Sequence, residues 1–182
     1  MGLFKGMADA KASRSSDYIR PGTYLCYLRE FFAKTNRKEQ GVVGFGFTVV
    51  ATLDDTEVTR TGKQPHRTGE DVSWVMQLHK DSTKPNLKRA LMNITGVPEA
   101  QVTDEFCEAL ASTSQPIKGF FIEVRAREIM TKGTDGSPPH LFTQVTLVRR
   151  WGKAEVEALP GVQIVLDGLK IDTSRAEMPE AG

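Results

Sequence analysis

The side chains with the widest chemical reach are His66, His79 and His140, the cysteines Cys26 and Cys107, and the acidic group Asp54, Asp55 and Glu57. The histidines are scattered and have no partner at metal-ligand spacing, so no zinc site is expected. The segment "GKQPHRTG" carries Gly62-Lys63 without the earlier glycine or the following Ser/Thr of a phosphate loop. No GxSxG elbow is present, and neither cysteine stands in a motif that marks a nucleophile. The acidic group invites Mg²⁺, but it lies where a strand runs into a polar loop, and there Asp is an ordinary turn former. These residues point away from an enzyme, a metal site or a cofactor.

A different chemistry comes from aromatic and basic residues interleaved on strand-like segments. In "TYLCYLREFFAK" (23–34), Tyr27, Arg29 and Phe31 alternate with Tyr24, Cys26 and Leu28, and the following hairpin carries Lys34, Arg37 and Lys38. In "KGFFIEVRAREIMT" (118–131), Phe121, Glu123, Arg125 and Arg127 alternate with the apolar set Phe120, Ile122, Val124 and Ala126. If the apolar sets are core, the other faces offer rings and guanidinium groups. Rings stack on bases and cations follow phosphates, and neither contact needs a particular base sequence. The alternative is structural: Tyr27, Phe31 and Phe121 cover helices or tail, and the arginines pair with Glu123, Glu128 and Glu30.

The elements that must position these residues follow from periodicity. Strands are predicted at 23–34, 42–53, 71–79, 118–131 and 141–151, each with period-two alternation. In "VVGFGFTVV", Phe45 and Phe47 fall with Val43 and Val49 on the apolar face, so they are expected in the core. Gly44 and Gly46 then face outward, where a missing side chain eases bending and lets a ligand or backbone approach. Between the third and fourth strands, "STKPNLKRALMNITG" predicts a helix with Leu87, Leu91 and Ile94 on one face and Gly96 as its stop. A second short helix is expected from Thr103. The tail "GVQIVLDGLKI" predicts one more strand or a hairpin at Asp167-Gly168.

Three strands, a helical connector and two strands predict a mainly β fold, a five-stranded Greek-key barrel like the OB-fold. A five-stranded sheet with a helical layer on one side is the competing architecture. In an OB-fold the 1–2 and 4–5 loops flank the ligand groove, which adds Lys132 and His140 to the candidates. Residues 1–18 read as a polar arm, 19–151 as the barrel domain and 152–182 as a C-terminal extension with a weakly acidic tail.

The 182 residues carry a net charge of +1, which conceals segregation. Lys80, Lys84, Lys88 and Arg89 stand against Asp81 alone, whereas residues 99–108 are purely acidic. No apolar run reaches membrane-spanning length, no secretory signal is read at the start, and the cysteine pattern suits a reduced, cytoplasmic setting.

The run "YIRPGTYLCYL…NRKEQGVVGFGFTVV…EDVSWVMQLH…LKRALMNITGVP…IKGFFIEVRA" resembles the single-stranded DNA-binding proteins encoded by tailed bacteriophages. Pro21-Gly22-Thr23-Tyr24, Gly41, Gly96 and Lys118-Gly119 occupy the places of that family's punctuation. The resemblance spans roughly residues 19 to 150. It implies an OB-fold that coats single strands in phage replication or recombination within an infected bacterial cytoplasm, with phage or host replication proteins and further copies as partners. Many bacterial relatives end in an acidic tip with a final aromatic. This chain ends "SRAEMPEAG", without the aromatic. A barrel of this kind that holds another protein, as an assembly or host-takeover module, is the alternative function.

Overall fold

In a computed structural model, residues 17–55, 62–133 and 136–177 are described. Residues 1–16 of the expected arm, Glu57 of the acidic group and the last five residues of the tail lie outside them. The strands are β1 (Asp17–Tyr18), β2 (Gly22–Thr35), β3 (Gly41–Asp54), β4 (Asp71–Gln77), β5 (Phe121–Met130) and β6 (Leu141–Trp151). The helices are α1 (Thr83–Thr95), α2 (Asp104–Leu110), α3 (Lys153–Glu157) and α4 (Val162–Leu169). The strands form one six-stranded sheet in the order β1-β4-β3-β2-β5-β6, curled into a half-barrel. Every pair is antiparallel except β1 with β4. No helix among the described residues is long and apolar enough to cross a membrane.

The five long strands lie where alternation places them, and the curl follows from their length and irregularity. β2 and β3 each run 14 residues. Their pairing shifts register at three points, with the extra residues Leu53 and Val50 in β3 and Arg29 in β2, and each bulge bends and twists the ribbon. On the concave side Phe45 is the centre, with the rings of Phe31, Phe47 and Trp74 at 4.8, 6.0 and 5.7 Å. α1 closes this core with Leu87, Ala90, Leu91 and Ile94. Gly96 stops the helix in the left-handed region, at φ 73°, and its N–H is bonded to the Met92 carbonyl. Asn93 fixes the helix to β6 by donating to the Leu147 carbonyl at 2.8 Å.

Three expectations are corrected. Asp17–Tyr18 is a strand rather than part of an arm: it pairs with Val72 and Ser73, and the Ile19 N–H continues the ladder to the Ser73 carbonyl at 3.0 Å. The tail forms α3 and α4 rather than a strand or hairpin. Val162 and Leu166, four residues apart, bury against the convex face of the sheet, and Asp167-Gly168 lies inside α4. That gain outweighs the local turn signal. The third correction is at Phe31. The shift between Leu28 and Glu30 leaves Arg29 as the extra residue of a bulge. Beyond it the faces exchange, so Phe31 enters the concave core at 1% exposure.

The convex side has its own core, in which Leu25, Val50 and Phe121 meet Val156, Val162 and Leu166. Residues 152–177 therefore cover one side of the sheet.

Candidate nucleic-acid interface

The residues named from the sequence do not converge on one site. Phe31 and Phe121 are fully buried, the first by the bulge and the second beneath α3 and α4, so neither ring is open to stack on a base. Gly44 and Gly46 are buried as well. The Phe32 ring lies over Gly44 and the Glu30 side chain over Gly46, so the glycines receive neighbouring side chains of the same sheet. Arg125 and Arg127 do lie on the convex side of β5. Arg125 reaches Glu123 at 3.8 Å, and Glu123 also pairs with Arg149 at 3.4 Å and accepts from the Trp151 indole at 3.1 Å. Tyr27 and Arg29 line a separate groove beside the end of α4.

The basic hairpin is built rigidly. Asn36 Oδ1 accepts from the N–H groups of Lys38 and Gln40 at 2.8 and 3.0 Å, and the Gln40 carbonyl accepts from Asn36 N–H. Such an Asx-type turn holds Arg37 and Lys38 outward at its tip. Behind it, Lys34 stands over the Phe32 ring, Nζ 4.8 Å from its centroid. Phe32 thus holds the half-exposed position beside the basic hairpin that sequence alternation assigned to Phe31. The bulge moves it one residue along.

Three exposed apolar side chains gather at the seam where the half-barrel fails to close. Among the described residues, β4 has a strand on its outer edge only at Val72 and Ser73, and β6 has none. Between them lies a cleft of about 390 Å³. Tyr18, Val75 and Phe142 stand on its lips at 46%, 38% and 40% exposure, and Trp74, Met76 and Val145 form its floor. Lys80 and the polar groups of Ser82, Thr83 and Asn86 close the end at the start of α1, and no carboxylate of the described residues lines the cleft. A smaller pocket beside it adds Arg89. Sequence reasoning missed Tyr18, Val75 and Phe142. The available signal was Val75, the one large apolar side chain on the outward face of its strand, followed by the basic run 80–89.

His66 merits chemical scrutiny because its Nδ1 faces the Glu70 carboxylate. The Arg20 backbone N–H donates to Nε2 at 3.0 Å, and the Arg20 guanidinium lies against the same pair, with Nη2 2.9 Å from both Nδ1 and the Glu70 carboxylate. The imidazole is fully buried, and its backbone N–H donates to the Tyr24 hydroxyl at 3.1 Å. With both nitrogens occupied and no access to solvent, the group pins the segment before β4 to the start of β2. No group of three His, Cys, Asp or Glu able to hold a metal ion exists among the described residues.

No protein-family model matches the chain, and no curated protein matches it significantly.

Proposed function

We propose that the chain is a non-catalytic single-stranded DNA-binding protein that seats the strand along the open seam. The observation that carries this reading is the seam itself: Tyr18, Val75 and Phe142 exposed on two opposing lips, a lysine at one end and, among the described residues, no carboxylate in the lining. Single-strand binders combine such ring platforms with cations that follow the backbone. The topology supports the same reading. Without the short β1, the order β4-β3-β2-β5-β6 is that of a five-stranded Greek key whose third and fifth strands have not zipped together, as in a partly open OB-fold. In that fold the second and third strands and the 1–2 and 4–5 loops hold oligonucleotides. Their counterparts here are β3 and β4, the Arg37-Lys38 hairpin and the loop that begins with Lys132. Val42, just after the hairpin, pairs with Gln77 in the cleft wall, and Phe142 follows the second loop by two residues. The resemblance to phage proteins adds replication or recombination as the setting.

Fluorescence anisotropy with a labelled oligothymidine tests this. Tyr18→Ala with Phe142→Ala removes two exposed rings, each worth about 1–3 kcal/mol if a base stacks on it, so affinity falls at least ~30-fold. If Lys34, Arg37, Lys38, Lys80 and Lys132 all meet phosphates, log K falls with log salt at a slope of about −3.5. Absence of binding at low salt refutes the proposal, and unchanged affinity in the double variant moves the site elsewhere. A second reading rests on the outer edges of β4 beyond Ser73 and of β6, which carry no strand among the described residues and suit an added peptide strand and hence a protein-interaction module.

A further inference from the structure

We propose that the convex groove beside the end of α4 is a second, separate site, for the phosphate of a nucleotide. The groove is about 490 Å³ and draws on β2, β3, Gly69, Asp71 at the start of β4, Lys118 and the end of α4. A lobe of about 340 Å³ shares Tyr27 and Lys118 with it and adds Ser114, Asp172 and Arg175; Asp172 is engaged by the N–H and hydroxyl of Ser174, and Arg175 donates to the Gln115 and Lys118 carbonyls. Small-ligand sites fall at roughly 300–1,000 Å³ and gather a few convergent polar groups.

Arg29 is the centre of the site. It is the bulged residue of β2, and bulges commonly re-aim a side chain toward a functional site. Its guanidinium is held from one side by Asp71, with Nη1 3.3 Å from Oδ2, while Asp71 in turn accepts from the Thr48 hydroxyl at 2.7 Å. Its Nε is buried and has no hydrogen-bond partner. A buried charged donor without an acceptor is costly and rare, and an anion oxygen supplies what it lacks. Lys118 and Lys170 face the same groove, are exposed, and have no carboxylate partner among the described residues. Lys170 occupies the left-handed position that ends α4, φ 53°, where glycine is the usual residue. A lysine there places an ammonium group at the rim. Of the two carboxylates in the larger lobe, Asp71 is engaged by Arg29 and Thr48, and Glu30 lies over Gly46. Tyr27 braces its ring edge-on against Phe121 at 5.6 Å and offers an aromatic wall. Three cations beside one ring suit a phosphate ester with an attached base, from either a free nucleoside monophosphate or the phosphorylated end of a strand.

Calorimetric titration with dTMP, thymidine and inorganic phosphate, and anisotropy with 5′-phosphorylated and unphosphorylated oligothymidine, test the site. The variant is Lys118→Ala with Lys170→Gly. Both side chains are exposed and glycine relieves the left-handed backbone, so the fold survives. Binding of dTMP at least ~10-fold tighter than thymidine, lost ~10-fold in the variant, supports the site with a free nucleotide as its ligand. A gain confined to the 5′-phosphorylated strand and lost in the variant supports it with a strand end as its ligand. Three results overturn it: no response to either phosphorylated probe, binding unchanged in the variant, or dTMP no tighter than inorganic phosphate, which marks an adventitious ion only. The Tyr18→Ala, Phe142→Ala variant separates this site from the seam. It leaves the dTMP response intact, and loss of that response there overturns the second site while leaving the seam proposal standing.

Discussion

Gly44 and Gly46 stand two residues apart on one face of β3, yet a methyl group at each meets different matter. At Gly44 an added Cβ comes within 2.5 Å of the Phe32 ring tip and 3.0 Å of the Trp74 carbonyl oxygen. At Gly46 it meets the Glu30 side chain, with Cγ at 2.9 Å and Oε1 at 3.1 Å. Glu30 is long and can swing aside for a few tenths of a kcal/mol. Phe32 must give up its seat, and the Trp74 carbonyl moves only with the β3–β4 ladder. Overpacking of this kind costs about 1–3 kcal/mol, while replacing a strand glycine by alanine returns about 0.5–1 kcal/mol of backbone entropy. Gly44→Ala is therefore expected to destabilise by about 1–2 kcal/mol, and Gly46→Ala to lie within about 0.5 kcal/mol of the parent. Urea unfolding followed by tryptophan fluorescence reads the difference, and a melting point about 2–8 °C lower for Gly44→Ala accompanies it. Adding Phe32→Ala provides the internal check. The double variant should be less destabilised than the sum of the singles, with a coupling of about 0.5–2 kcal/mol, because only the Phe32 part of the clash is relieved. Equal stability of the two glycine variants, or strict additivity with Phe32→Ala, refutes the claim that these glycines seat β2 side chains.

Leu166→Ala on the convex core should cost about 2–5 kcal/mol, matching Leu91→Ala on the concave core, since both side chains are fully buried. A urea midpoint untouched by Leu166→Ala would show that residues 152–177 are an appendage. Acid sensitivity follows from Glu70. Burial opposes its charged form, but hydrogen bonds from the His66 ring and the Arg67 backbone, together with the Arg20 charge, hold its pKa below the ordinary 4.5. A folded value below the unfolded one means the stabilisation is complete above about pH 4.5 and disappears as pH falls through the folded value. Glu70→Gln is expected to flatten that part of the stability curve in unfolding measured from about pH 3 to 6, and an unaltered curve sinks the assignment. With a thiol reagent, Cys107 should react slowly in the native protein and Cys26 only after unfolding, because burial raises both thiols and Cys26 is wholly enclosed. Two thiols reacting together in native buffer would contradict that burial.

Alternation made the long strands legible because each buries one face, and Phe45 and Phe47 declare their side through Val43 and Val49. The bulge at Arg29 was illegible for the same reason that alternation works. Period two carries parity but no marker for an inserted residue, so one extra position silently exchanged Phe31 for Phe32. α4 was hidden by length: in eight residues, apolar positions at helical and strand spacing overlap, and only the surface that receives Val162 and Leu166 decides between them. That surface did have a sequence signature. Leu25, Val50 and Phe121 lie on the faces opposite the main core, and three large apolar side chains on an outward face require a cover. Applied as subtraction, the same principle defines the candidate site. Once α3 and α4 cover the convex patch and α1 the concave one, Tyr18, Val75 and Phe142 remain uncovered together at the seam. Single exposed apolar residues need no explanation, but three around one cleft, with a lysine and, among the described residues, no carboxylate in its lining, are what the proposed strand-binding role would use.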